Sequence, residues 1–127
     1  MTKIIIAKRF CVAVFVVLFG AASALGIALA QNSEEGVANF YSDRFQGKKT
    51  ASGQVYDKNA LTASHKKHPF GTKVKVTNIE SGKDVVVTVT DRMGRKNPAV
   101  IDVTRRAADE LGFTKAGKAR VKLDVVQ

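Results

Sequence analysis

Asp91 is the residue of this 127-residue chain best placed to do chemistry. It follows Lys83-Asp84-Val85-Val86-Val87-Thr88-Val89-Thr90, whose β-branched run predicts a strand buried on most of its surface. Arg92 and then Met93-Gly94-Arg95-Lys96-Asn97-Pro98 come next, a turn-rich stretch with no hydrophobic period. A rigid element thus delivers a carboxylate to the rim of a domain, a position suited to general acid or base work. Two other polar groups stand upstream: Thr50-Ala51-Ser52-Gly53-Gln54-Val55-Tyr56-Asp57 and Leu61-Thr62-Ala63-Ser64-His65. His65 ends an apolar stretch, where its ring either reaches a carboxylate or holds a loop through a backbone hydrogen bond. His68, next to Pro69 among lysines, reads as solvated. His65, Asp57 and Asp91 are conceivable metal ligands, but no metal-binding spacing joins them, so neither a metal nor another cofactor is expected. A serine nucleophile lacks its elbow motif.

The elements that must position these groups are short. Residues 36–41 have strand character after a frayed lead at 31–35, and residues 42–52 read as a loop. Residues 72–78 alternate with a period of two, and Glu80-Ser81-Gly82-Lys83 turns the chain into the Asp91 strand. Val100-Ile101-Asp102-Val103 reads as a buried strand. Thr104 then caps a helix over residues 105–111 that stops at Gly112. Ala119, Val121, Leu123 and Val125 alternate with charged residues in a last strand. About six short strands and one helix leave no room for parallel crossovers throughout, so the fold class is mainly β, a small barrel.

Met1 to Arg9 carries Lys3, Lys8 and Arg9, and residues 10–29 are uncharged and mostly apolar. Ala28-Leu29-Ala30 offers small residues to a signal peptidase, so residues 1–30 are expected to be a cleaved signal peptide. The apolar run could also span a bilayer, but the Ala-x-Ala site favours cleavage. The single cysteine, Cys11, leaves with that segment, so no disulfide and no thiol chemistry is expected of the domain at 36–127. Export to the periplasm or the extracellular wall follows, with no lasting membrane anchor and a monomeric state. Losing three cations lowers the formal charge from +10 to +7, and a basic exported domain seeks anionic wall polymers or surfaces. Scattered cations without interleaved stacking aromatics exclude nucleic acid as the expected partner.

Gly36-Val37-Ala38-x-Phe40-Tyr41, Thr50-Ala51-Ser52-Gly53-x-x-Tyr56-Asp57, Leu61-Thr62-Ala63-x-His65-Lys66, Pro69-Phe70-Gly71-Thr72, Val76-Thr77-Asn78, Val89-x-Asp91-Arg92 and Ile101-Asp102-Val103-Thr104 occur in that order. The series resembles the rare lipoprotein A family, over nearly the whole segment after the leader. The resemblance implies a six-stranded double-psi β-barrel, related in architecture to expansins. It also implies lytic transglycosylase action on peptidoglycan glycan strands, cleaving between N-acetylmuramic acid and N-acetylglucosamine to leave 1,6-anhydro ends. The family's catalytic aspartate falls on Asp91, its conserved histidine on His65 and a second aspartate on Asp57.

The chain departs from the family pattern at Gln54, where a glutamate is usual, at Gln46-Gly47-Lys48 in place of His-Gly-Arg, and at Met93-Gly94-Arg95 in place of Gly-Pro-Phe. It also lacks the lipobox and the C-terminal peptidoglycan-binding repeat of many members. With Gln54 unable to ionise, Asp91 is expected to serve as both acid and base. An acid needs its proton held by burial or by a neighbouring carboxylate, for which Asp57 is the candidate. His65 and Gln54 would position the sugar, with Tyr41, Tyr56, Thr50 and Arg92 as further binding candidates. The alternative is an expansin-like module that binds polysaccharide without cutting it.

Overall fold

The computed structural model describes residues 33–126. The leader and its cleavage site lie outside them. Six strands, β1 (Ser33–Phe40), β2 (Thr62–His65), β3 (Lys73–Asn78), β4 (Asp84–Arg92), β5 (Ile101–Val103) and β6 (Ala119–Val125), close into a barrel in the order β1-β5-β2-β4-β3-β6. The β1–β5 and β2–β4 pairs are parallel and the other four antiparallel. One α-helix, α1 (Arg105–Leu111), follows β5, and no helix among the described residues is long and apolar enough to cross a membrane.

Closure sorts the strand residues by alternation. On β4, Val85, Val87 and Val89 face the core while Val86 is 43% exposed. The strand is therefore buried on one face, not on most of its surface as its composition suggests. A barrel of this size has an outside, and β-branched residues suit either face of a pleated strand. Val74 and Val76 of β3, Ile101 and Val103 of β5, and Val121 and Leu123 of β6 complete the core with Ala107, Ala108 and Leu111 of α1. The Thr104 hydroxyl accepts from the Ala107 N–H at the start of α1, and Gly112 ends the helix in the left-handed region at φ 80°.

β1 begins earlier than expected. Ser33, Glu34 and Glu35 pair with Asp124, Leu123 and Lys122 of β6, so the apparent lead is strand. Its polar side chains mask that role because this end of β1 faces solvent. Gly36 is required for a different reason: a Cβ there would overlap Val100 Cγ1, and Val100 is tied to β1 by its N–H donating to Val37 O at 2.8 Å. The branched side chain has little freedom to yield. Gly36→Ala is expected to cost about 1–3 kcal/mol, checked by denaturant unfolding.

The parallel β2–β4 ladder contains one irregularity. Ala63 pairs with Val89, but the next residue, Ser64, pairs with Asp91, which leaves Thr90 as a bulge. Unbroken alternation would carry Asp91 into the phase of the core residues Val85, Val87 and Val89. The extra residue reverses the phase and turns Asp91 to the face opposite the core.

Candidate functional site

Three neighbouring strands present polar side chains on that face. Ser64 of β2 pairs with Asp91 on one side and with Asp102 of β5 on the other. Asp102 points outward because Ile101 and Val103, its neighbours, both fill the core. Asp91, Ser64 and Asp102 line one groove of about 390 Å³, with Phe40, Tyr41 and Phe45 on its apolar side and Lys49 and Arg92 at its edge. That volume suits a sugar-sized ligand.

Asp91 is the more tightly held acid. Its Oδ2 accepts from the Tyr41 hydroxyl at 2.6 Å, and its Oδ1 accepts from the N–H groups of Ala51 at 2.8 Å and Arg92 at 2.9 Å. Oδ1 has both lone pairs engaged, so the free lone pair of Oδ2 is the place where a proton could land. Tyr41 is fixed in turn by stacking on Tyr56, with ring centroids 4.5 Å apart, and by an edge contact to Phe45. Burial, and then the hydrogen bond to Asp91 and that residue's charge, push the Tyr41 phenol far up, so it stays a donor. Asp102 is pushed above the ordinary carboxylate value, first by burial and then by the charge of Asp91. A shift in that direction favours the protonated carboxyl.

The other residues expected at the site take different places. Thr50 Oγ1 bonds Gln54 O at 2.9 Å and lies 3.0 Å from Ser52 Oγ, closing the turn that aims the Ala51 N–H at Asp91. Tyr56 is buried beneath Tyr41 and not open to a ligand. Gln54 is exposed on the same turn and does not line the groove. The Asp57 carboxylate turns back on its own loop, accepting from Asn59 N–H at 2.9 Å, and Asp102 holds the position beside Asp91 that Asp57 was expected to fill. His65, one residue beyond Ser64, faces the opposite side of β2. It is buried, and its Nε2 meets Glu34 Oε1 at 2.9 Å. Arg92 borders the groove while its guanidinium lies over the Phe70 ring at 4.6 Å.

Asp102 and Ser64 were within reach of sequence reasoning. Alternation on the Ile-Asp-Val strand already turns Asp102 away from the core; what was missing was which strand lies beside it. Glu34, His65 and His68 place three ligand-type atoms within 4.8 Å of one another, the geometry of a small metal cluster. They fit a metal poorly. His65 Nδ1 accepts from two backbone N–H groups, so the ring proton sits on Nε2, the atom a metal would need.

Two parallel and four antiparallel pairings in one closed six-stranded ring define a double-psi β-barrel protein. Residues 33–123 match the family described as lytic transglycolase, and the chain belongs to it. It is 43% identical over 98 residues to an endolytic peptidoglycan transglycosylase RlpA of Neisseria meningitidis, covering 77% of this chain and 41% of the relative. It is 45% identical over 92 residues to a probable endolytic peptidoglycan transglycosylase RlpA of Synechocystis, covering 72% and 29% respectively. The chain thus spans less than half the length of these relatives. In fold it is similar to a Clavibacter michiganensis expansin, at TM-score 0.60 and 22% identity over 75% of this chain and 50% of that one. A Streptomyces papain inhibitor is similar at TM-score 0.60 and 19% identity, over 75% and 94%.

Proposed function

We propose that this protein is an exported lytic transglycosylase that cuts peptidoglycan glycan strands between N-acetylmuramic acid and N-acetylglucosamine, leaving 1,6-anhydro ends. The observation that carries the reading is the pair of carboxylates, Asp91 and Asp102, facing one groove from either side of Ser64. Asp102 donates its proton to the glycosidic oxygen, and the bond to C1 of the muramyl sugar breaks through an oxocarbenium-like state. Asp91 takes the proton of that sugar's C6 hydroxyl at Oδ2, and the C6 oxygen closes on C1. The N-acetylglucosamine leaves as an alcohol and no water is consumed. One carboxyl has gained the proton the other lost, and transfer between them restores the start. This division of labour replaces the single acid-base expected of Asp91 alone, and it needs no glutamate at position 54.

The experiment is incubation of the purified protein with intact and amidase-treated peptidoglycan, followed by mass spectrometry for anhydro-muramyl ends. With Asp91→Asn, the yield is expected to fall by about 10²-fold or more. A second reading, a glycan binder that does not cut, is favoured by Gln54, an amide where family members carry a carboxylate. Retention of the protein on peptidoglycan with no anhydro ends formed would support that reading and overturn the first.

A further inference from the structure

We infer that His65 is a positioning residue of this groove, acting through the turn at residues 66–68, and that it exchanges no proton with the substrate. The inference rests on the transglycosylase reading above. His65 Nδ1 accepts from the N–H of Lys67 at 3.0 Å and of His68 at 3.1 Å. A ring nitrogen that accepts carries no proton, so the N–H is on Nε2, where it donates to Glu34 Oε1. Both ring nitrogens are therefore engaged, on the face of β2 away from Asp91.

What the ring holds matters to the groove. Arg92 donates from Nη1 to the carbonyls of His65 at 3.1 Å and His68 at 2.7 Å, the two ends of the turn. Lys66, inside the turn, donates from Nζ to Asn97 O at 2.5 Å. Arg92 and Asn97 both line the groove. The turn is thus a bracket gripping the groove from two sides, and the two amides captured by Nδ1 set its shape. The His68 ring stacks on His65 at 4.2 Å and closes the bracket from outside. Burial lowers the His68 pKa from its ordinary value.

Asparagine separates positioning from proton chemistry, because its Oδ1 occupies the place of Nδ1 and accepts the same amides, while it cannot act as acid or base. With His65→Asn, the rate of anhydro-end formation is expected to stay within about threefold of wild type, and its pH profile to keep the same limbs. With His65→Ala, kcat/KM is expected to fall by about tenfold or more, mainly through KM, as Arg92 and Asn97 lose their anchor. Hydrogen exchange at the Lys67 and His68 amides should be slow in wild type and His65→Asn and fast in His65→Ala. Nitrogen-15 imidazole spectra of the wild type should show Nδ1 unprotonated. An inactive His65→Asn whose Lys67 and His68 amides remain protected would overturn the inference, and so would full activity of a folded His65→Ala. Should His65→Ala not fold, the His65→Asn rate and the spectra decide. If the wild type releases no anhydro ends, the transglycosylase reading fails by itself. The bracket then stands or falls on the tautomer and on protection of the two amides.

Discussion

Replacing Asp102 by asparagine is expected to lower the initial rate of anhydro-end formation by about 10²–10⁴-fold, the range general acid catalysis supplies. The substitution keeps shape and volume and removes only the transferable proton. Burial, then the charge of Asp91, raise the Asp102 pKa above the ordinary carboxylate value. An acid must carry its proton to act, so the wild-type rate should fall as pH rises through that raised value. In Asp102→Asn this alkaline limb should disappear along with most of the rate. Stability moves the other way. A carboxyl whose folded-state pKa is raised stabilises the fold below its unfolded value, and that contribution is lost as pH rises through the folded one. At neutral pH the variant should therefore be no less stable than wild type. Rate profiles across the acid-to-neutral range, with thermal melts of both proteins, check the prediction. A variant that keeps the wild-type rate would remove Asp102 from the mechanism and return the acid role to Asp91.

The sequence exposed the strands whose faces differ in chemistry and concealed the relations between strands. β6 could be read residue by residue because Arg120, Lys122 and Asp124 alternate with core positions, and α1 because Thr104 and Gly112 mark its ends. Asp91 was recognisable as an acid at the end of a strand. That it faces a groove depends on the bulge at Thr90, a property of the β2–β4 register, which no single strand encodes. The same limit explains His65 and Asp57. Both are polar residues near Asp91 in the order of motifs, yet one step along β2 puts His65 on the far face, and Asp57 closes its own turn. Asp102 was overlooked because nothing within Ile101–Val103 tells which strand lies beside it. Its importance comes from the strand beside it.

Asn78→Ala should destabilise the barrel by about 2–4 kcal/mol, because it strands three backbone groups at once. Asn78 is 5% exposed at the end of β3. Its Nδ2 donates to Leu111 O at 2.9 Å, and its Oδ1 accepts from Glu80 N–H at 3.0 Å and from Ser81 N–H at 3.4 Å. One amide thus joins the last turn of α1 to the turn between β3 and β4. The Leu111 carbonyl is among those a helix leaves unpaired at its end, and alanine offers it no donor. For a domain of this size the loss corresponds to a fall in Tm of roughly 8–30 °C. β4 runs from beside this turn at Asp84 to Arg92, and the strand from Asp84 to Asp91 puts the groove roughly 23 Å away. Changes that far apart, with no shared partner, act independently. Below its lowered Tm, Asn78→Ala should therefore turn over at the wild-type rate. Calorimetry paired with rates at low temperature makes the check, and equal losses of rate and stability would show that the two ends of β4 are coupled. Asp102→Asn should give the converse result, its rate lost with its stability kept, so the pair of variants separates the residues that hold the barrel from those that use its groove.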